Sequence, residues 1–169
     1  MGYIHDVAMS QFVLPNLMMF SAGTWAQTIL NNVWSMNRTA ADASFLVFVP
    51  VPIPSNSVAS KGAYLKSIEV MYSIVTAAAD DMAAVALYKN TLAADGTLNS
   101  AAGIAITMDT AHDTGAERKT LDEHRMVATL DTAAWIDNDE YYHLEFLVDA
   151  AATTVFKVFG ALINYTLRL

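Results

Sequence analysis

The sequence predicts an all-β protein, a single antiparallel β-sandwich of jelly-roll-like type with an apolar N-terminal arm. Hydrophobic residues alternate with a period of two in several segments, turn-forming residues separate these segments, and no convincing helical stripe lies between them. A chain of 169 residues has the length of one domain. We expect residues 1–22 to form the arm or a first strand, and residues 23–169 to form the sandwich.

The N-terminal stretch FVLPNLMMF, residues 12–20, is too apolar to lie free in water and too short to span a bilayer. It is expected either to lie against a neighbouring subunit or to be a first strand in its own sheet. If it is an arm, deletion of residues 1–20 should reduce assembly and leave the fold intact. The next segment, residues 23–36, is rich in strand formers but is interrupted by Asn31 and Asn32.

Prolines alternate at positions 50, 52 and 54, directly after an apolar run. Successive N–H groups of a strand point to alternate edges, so these prolines remove donors from one edge only. The pattern predicts a strand that pairs on one side, as the last strand of a sheet or as a wrapping arm. A polyproline-like connector without pairing is the alternative.

The clearest alternation occurs in residues 64–74 and 141–149, and the C-terminal segment from Phe159 repeats it. Residues 82–90 and 124–132 alternate more weakly, and the alanine-rich residues 76–87 could instead begin a helix. The residues predicted to share the buried faces are Ile68, Val70, Tyr72, Ile74, Tyr142, Leu144, Phe146, Val148, Phe159, Ala161, Ile163, Tyr165, Leu167 and Leu169.

Charged residues make up 15% of the chain, against about 25% in an ordinary soluble domain. This shortage predicts that part of the surface faces protein, since no apolar run reaches the ~18 residues of a membrane-spanning helix. A net charge of −8 argues against a nucleic-acid partner bound through a basic patch. The absence of cysteine excludes disulfides and thiolate chemistry.

The one dense polar segment is residues 108–125. Asp109, His112 and Asp113 are the candidate metal ligands in it, because carboxylate and imidazole groups bind divalent cations. The basic residues interspersed among them favour a solvated loop with local ion pairs. We therefore predict neither a metal nor a cofactor.

Catalytic motifs are missing, because the sequence has no nucleophile-elbow pattern and no phosphate-binding glycine loop. A glycosidase-like pair of Glu69 and Glu145 is disfavoured, since sheet faces often carry acids. His143 is expected to face outward beside Glu145 as a surface pair. The chain is thus predicted not to be an enzyme.

Aromatic residues offer a different route to function, since a ligand can stack on an exposed ring. Trp25, Trp34 and Trp135 are the candidates, together with the tyrosines. Packing in the core or at an interface is the favoured role for each of these rings.

A tryptophan-bearing N-terminal strand, the segment FLVFVPVPIPSNSVASKGAYLKSIEVMYSI and the run beginning YYHLEFLVD resemble uncharacterised β-sandwich proteins of phages and environmental prokaryotes. The resemblance covers most of the chain from about Trp25 onward and offers no catalytic residues to transfer. It implies a jelly-roll-like subunit of a particle, tube or virion. The lack of a signal-peptide pattern fits assembly in a prokaryotic cytoplasm.

The sequence therefore predicts a self-assembling structural subunit of a virion, capsid-like shell, tube or decoration, whose partner is itself in a symmetric homo-oligomer. The alternative is a carbohydrate- or small-ligand-binding β-sandwich module that uses an exposed aromatic residue and a Ca²⁺ ion in the loop 108–125. The residues predicted to form the self-assembly interface are Phe12, Leu14, Leu17, Met18, Met19, Phe20, Phe48, Val49, Val51 and Ile53.

Overall fold

The structure, a computed structural model, describes residues 5–56, 62–97 and 101–168. Strand residues make up 62% of it and helical residues 4%, which confirms the predicted all-β class. No helix in the described ranges is long and apolar enough to cross a membrane. A 3-10 turn forms at Pro15–Leu17, and the remaining elements are β1 (Asp6–Val13), β2 (Met19–Phe20), β3 (Trp25–Leu30), β4 (Val33–Arg38), β5 (Ala43–Pro50), β6 (Ala63–Val75), β7 (Val85–Thr91), β8 (Ala102–Ile104), β9 (Ile106–Met108), α1 (Gly115–Arg118), β10 (Asp122–Trp135), β11 (Glu140–Ala150) and β12 (Val155–Arg168).

Two antiparallel sheets form the sandwich. The seven-stranded sheet has the order β3-β4-β12-β6-β10-β9, and β1 also pairs with β12. The five-stranded sheet has the order β2-β5-β11-β7-β8. Their inner faces meet in one core, where the ring of Phe45 on β5 packs edge-on against Phe156 on β12 with centroids 5.5 Å apart.

The period-two alternation predicts the buried faces of β6 and β11 correctly. Ile68, Val70, Tyr72 and Ile74 are no more than 1% exposed on β6, and the four predicted residues of β11 are no more than 3% exposed. The intervening side chains face outward on both strands. The two outer faces are therefore the surfaces on which function can be sought.

The alternation fails on β12, where the strand contains a β-bulge between Val158 and Gly160. The extra residue turns Phe159 to the outer face, so its prediction as a core residue is wrong. Gly160 has a φ of 139°, and a Cβ there would lie 2.6 Å from the ring of Phe12. Only glycine fits this position, at the point where β1 joins the sheet.

The N-terminal segment is part of the chain's own sheets. Strand β1 pairs along its whole length with β12, and its first residue, Asp6, forms an ion pair with Arg168 at 2.7 Å. Val13, Pro15 and Met18 are buried. Deletion of residues 1–20 would remove a paired strand and part of the core, which contradicts the expectation that this deletion leaves the fold intact.

The proline segment pairs on one side, as the alternating prolines predict. Pro50 ends β5, and the N–H of Val51 still donates to the carbonyl of Tyr142 on β11 at 3.1 Å. The opposite edge of β5 is covered only by the two-residue strand β2. Beyond Pro50 the backbone leaves the sheet, so the connector alternative describes the rest of the segment.

Candidate functional site: an aromatic platform

The outer face of the five-stranded sheet carries a group of aromatic rings from three strands. Phe48 lies on β5, Tyr88 on β7, and Tyr141 and His143 on β11. Their inward-facing neighbours fill the core, so strand alternation sends these four side chains outward. We call this group the aromatic platform.

His143 is the centre of the platform. It lies directly opposite Tyr88 in the pairing of β11 with β7, and their ring centroids are 5.6 Å apart. The ring of Phe48 lies 5.8 Å from it on the other side, and that of Tyr141 lies 6.4 Å away along the strand. The four rings thus form one connected surface, and Tyr141 is 47% exposed.

Polar groups flank the central imidazole. The side-chain amide of Asn90 donates to Nδ1 of His143 at 3.4 Å, and the carboxylate of Glu145 lies 3.9 Å from Nε2, which is the surface pair that the sequence predicts. Burial lowers the pKa of His143 below its ordinary value, and the charge of Glu145 offsets this only in part. The platform is therefore uncharged at neutral pH.

A groove of about 370 Å³ opens at one end of the platform. Leu17 and Met19 form its outer wall, and Phe48, Pro50 and the β11 rings line the rest. Leu17 is 54% exposed and Met19 is 67% exposed, so the wall is open to solvent. The volume lies within the range of small-ligand sites, about 300–1,000 Å³.

Two of the three predicted metal ligands, Asp109 and His112, lie in a hydrogen-bonded chain with His124. Nδ1 of His112 is 2.8 Å from the Asp109 carboxylate, and its Nε2 is 3.2 Å from His124. Both ring nitrogens of His112 are therefore occupied. Burial acts to raise the pKa of Asp109, but hydrogen bonds from the N–H of Val127 and from His112 outweigh it and keep the pKa low.

Asp113, the third candidate, belongs to a different group. Its carboxyl lies beside Glu117, and the hydrogen bond and charge of Glu117 raise the pKa of Asp113. The described ranges contain no cluster of three or more His, Cys, Asp or Glu side chains that could hold a metal ion.

Arg118 organises the same loop from within. Its guanidinium is buried and donates to the carbonyls of His112 at 2.7 Å, Asp113 at 2.8 Å, Met82 at 2.9 Å and Ala83 at 2.8 Å. The segment is thus a loop tied to the chain before β7, and most of its residues are exposed, as the sequence predicts.

The three tryptophans do not belong to the platform. Trp25 stacks on Phe20 with centroids 3.7 Å apart, and Trp135 packs against Tyr64 at 4.7 Å. The indole N–H of Trp34 is buried and has no hydrogen-bond partner among the residues that the structure describes. The sequence indicated one member of the platform, because the alternation of its strand predicts that His143 faces outward. The other rings could not be predicted, because they lie on strands that meet only in the folded chain.

The ten residues predicted to form an interface divide into three groups. Met18, Val49, Val51 and Ile53 lie in the chain's own core, each at most 8% exposed, so they are not surface residues of the folded chain. Phe20 and Phe48 are partly buried. The residues with exposed side chains are Phe12, Leu14, Leu17 and Met19.

The two acids considered as a catalytic pair lie on different sheets. Glu69 is on the outer face of β6, where it pairs with Arg125, and Glu145 is on the outer face of β11. The whole sandwich separates them, so they cannot act on one bond.

Comparison with known proteins finds no matching family model and no matching curated protein. Solved structures with a β-sandwich fold do match. A promiscuous carbohydrate-binding module of the β-sandwich superfamily is 12% identical with a TM-score of 0.41, over 95% of this chain and 56% of its own length.

The family 32 carbohydrate-binding module of NanJ from C. perfringens, solved with galactose, is 11% identical with a TM-score of 0.32 over 92% of this chain and 99% of its own. A domain of tailspike protein 4 from bacteriophage CBA120 is 7% identical with a TM-score of 0.32, over 97% of this chain and 19% of its own. The present chain thus spans about half of the first neighbour's length. Similarity at this level carries no information about ligand or reaction.

Proposed function

We propose that this protein is a carbohydrate-binding β-sandwich module whose ligand stacks on the aromatic platform. The observation that carries the proposal is the connected row Phe48–His143–Tyr88, with Asn90 and Glu145 beside it on an exposed sheet face. The proposed function is binding without a reaction.

The chemistry of a sugar ring fits this surface. A pyranose presents an apolar face of C–H groups and a rim of hydroxyl groups. The negative faces of aromatic rings attract the C–H groups, and stacking also removes apolar area from water. Three rings in contact offer room for more than one sugar unit, since the row crosses three adjacent strands.

The polar groups supply orientation. The carboxylate of Glu145 can accept hydrogen bonds from hydroxyl groups, and the amide of Asn90 can both donate and accept. A few convergent polar groups at the border of an apolar surface are the usual composition of a ligand site. Because His143 is neutral at physiological pH, the platform favours an uncharged ligand.

A glycan array of the full chain, followed by calorimetric titration of the best glycan, tests the proposal. Tyr88→Ala and Phe48→Ala should each weaken binding about tenfold, and Tyr88→Phe should retain it, since only the ring is required. Tyr64→Ala is the matched control, because Tyr64 is a partly exposed ring on the other sheet.

No binding to any glycan at millimolar concentrations would overturn the proposal. Equal affinities for the wild type and the Phe48→Ala and Tyr88→Ala variants would overturn it too, because the ligand would then be elsewhere on the chain.

Self-assembly is a second candidate, favoured by one observation. The tip of the β3–β4 hairpin exposes Ile29 at 67%, Leu30 at 64% and Val33 at 51%. Clustered exposed apolar residues are typical of protein contacts.

If the chain self-assembles, the mass measured by light scattering over a range of concentrations should exceed that of one chain. The Ile29→Ser, Leu30→Ser double variant should return the mass to that of one chain. A wild type that stays a single copy at high concentration excludes this candidate.

A further inference from the structure

A furrow crosses the outer face of the seven-stranded sheet, on the side of the sandwich opposite the platform. One wall is the β3–β4 hairpin, whose turn residues Asn31 and Asn32 both have positive φ. Only Met36–Arg38 of β4 pair with β12, so the distal half of the hairpin extends beyond this pairing. The furrow encloses about 540 Å³, and a depression of about 380 Å³ continues it.

Four polar side chains form a row on the floor of the furrow. Asn37 on β4 is the register partner of Lys157 on β12, Lys157 is the partner of Ser73 on β6, and Ser73 is the partner of Glu123 on β10. All four residues line the cavity. Across the sheet, the cationic Lys157 therefore lies between the neutral side chains of Asn37 and Ser73, and the anionic Glu123 follows Ser73.

Ser73 is the most unusual member of this row. Its side chain is 3% exposed, yet its hydroxyl has no hydrogen-bond partner among the described residues. The hydroxyl oxygen itself is not fully enclosed, since it lies in the cavity lining. A hydroxyl without a protein partner in the lining of a cavity can bind a ligand group that enters it.

Two further donors lie in the same row: Lys157 next to Ser73, and Asn37 one strand beyond Lys157. The carbonyl oxygen of Asn37 accepts from the hydroxyl of Ser35 at 2.8 Å, which leaves the amide N–H groups of Asn37 for the furrow. The ammonium group of Lys157 has no carboxylate within 4 Å in the described part of the chain. One cation and two neutral donors on the same floor suit a carboxylate.

The other end of the row is acidic. The carboxylate of Glu123 has no hydrogen-bond partner among the described residues, and Asp122 beside it accepts only the N–H of Glu123. Lys157 and Glu123 lie two strands apart, about 10 Å between backbones. Long side chains can close this gap around a ligand with its own positive and negative groups.

The remaining wall is apolar. Leu30 and Val33 from the hairpin, Leu121 before β10, and Phe159 from the β12 bulge line the cavity above the polar floor. Thr76, also in the lining, has a φ of 76°, which is strained for a β-branched residue. Strain of this kind is concentrated at functional sites.

We infer that the furrow binds a small zwitterionic ligand with an apolar body, namely a free amino acid or the end of a short peptide. Lys157, Asn37 and Ser73 receive its carboxylate, and Glu123 with Asp122 receives its ammonium group. The apolar wall receives its side chain. This site is independent of the aromatic platform and does not rest on the proposed function.

Calorimetric titration of the full chain with L-leucine, leucinamide and N-acetylleucine tests the inference. Leucinamide lacks the carboxylate and N-acetylleucine lacks the ammonium group, while both keep the apolar body. Each loss should weaken binding about tenfold, because each removes a charge-assisted hydrogen bond.

Two variants then test which residue binds the carboxylate of the ligand and which binds its ammonium group. Lys157→Gln should remove the preference for leucine over leucinamide, and Glu123→Gln should remove the preference for leucine over N-acetylleucine. Lys66→Gln is the matched control, because Lys66 is an exposed lysine of β6 outside the furrow lining.

The inference is wrong if none of the three compounds binds at millimolar concentrations. It is also wrong if Lys157→Gln keeps the full preference for leucine over leucinamide. Glycan binding by the platform is measured separately, so either site can fail without the other.

Discussion

The two outer faces of the sandwich follow the same alternation of side chains and differ in their chemistry. On the five-stranded sheet, Phe48, Tyr88 and a neutral His143 give an uncharged ring surface. On the seven-stranded sheet, Lys157 and Glu123 stand on the floor of a furrow under a hairpin. The period-two alternation of side chains thus decides which residues face outward, whereas the order of the strands decides which of these residues meet.

The platform and the furrow also rest on different parts of the fold. The platform rests on central strands of its sheet, with a fully buried layer beneath it. The floor of the furrow also lies on paired strands, but its walls are a loop, a bulge and a hairpin that projects beyond its pairing with β12. We therefore expect the furrow to be lost more easily than the platform.

The largest effect is expected from Arg118→Ala. The variant leaves four backbone carbonyls without their donor and should lower the free energy of unfolding by about 3 kcal/mol or more, measured by urea unfolding. Leucine binding should weaken, since the loop leads into Asp122 and Glu123. Arg125→Ala is the control, because its exposed pair with Glu69 contributes less than about 1 kcal/mol. Equal stability of the two variants would contradict the role assigned to Arg118.

A smaller effect is expected from Gly160→Ala. The added Cβ meets the Phe12 ring and the Val13 carbonyl, and alanine is strained at this φ, so the free energy of unfolding should fall by about 2 kcal/mol. The change also disturbs Phe159 and should weaken leucine binding, with glycan binding unaffected. Gly103→Ala is the control, since a Cβ there meets nothing within 4 Å. A loss of glycan binding in Gly160→Ala would show that the two faces are coupled.

The smallest effect concerns pH. Because the folded pKa of His143 lies below the ordinary 6.5, the unfolded chain takes up this proton first as the pH falls. The stability contribution is therefore complete above about pH 6.5 and is lost below it, and it is small because the ring is partly exposed. The free energy of unfolding, measured with urea between about pH 5 and about pH 7, should change less steeply with pH in His143→Gln than in the wild type. An unchanged dependence of stability on pH in His143→Gln would contradict the shift.

Much of the fold was predictable because β6 and β11 alternate strictly, as the burial of Tyr72 and Phe146 confirms. The reversal of Phe159 was not predicted, although a glycine inside a strand pattern, Gly160, is a known signal for a bulge. Strand pairing could not be derived from one sequence, because Phe48, Tyr88 and His143 lie far apart along the chain and meet only through β5, β11 and β7.

The predictions about function show the same limit. A shortage of charge indicated a surface that faces another molecule, and it could not tell a protein partner from a sugar. The alternation of β11 predicted that His143 faces outward, but the rings that contact it were not identified from the sequence. The tryptophans drew attention because of their size, and two of them are held in ring contacts away from the platform.

The aromatic resonances of the protein, recorded by NMR during titration with the best glycan from the array, test the central claim most directly. The account predicts saturable shifts of the His143 and Tyr88 rings, with the rings of Tyr64 and Phe159 unchanged. Saturable shifts confined to Phe159 or Tyr64, with His143 and Tyr88 unmoved, would contradict it.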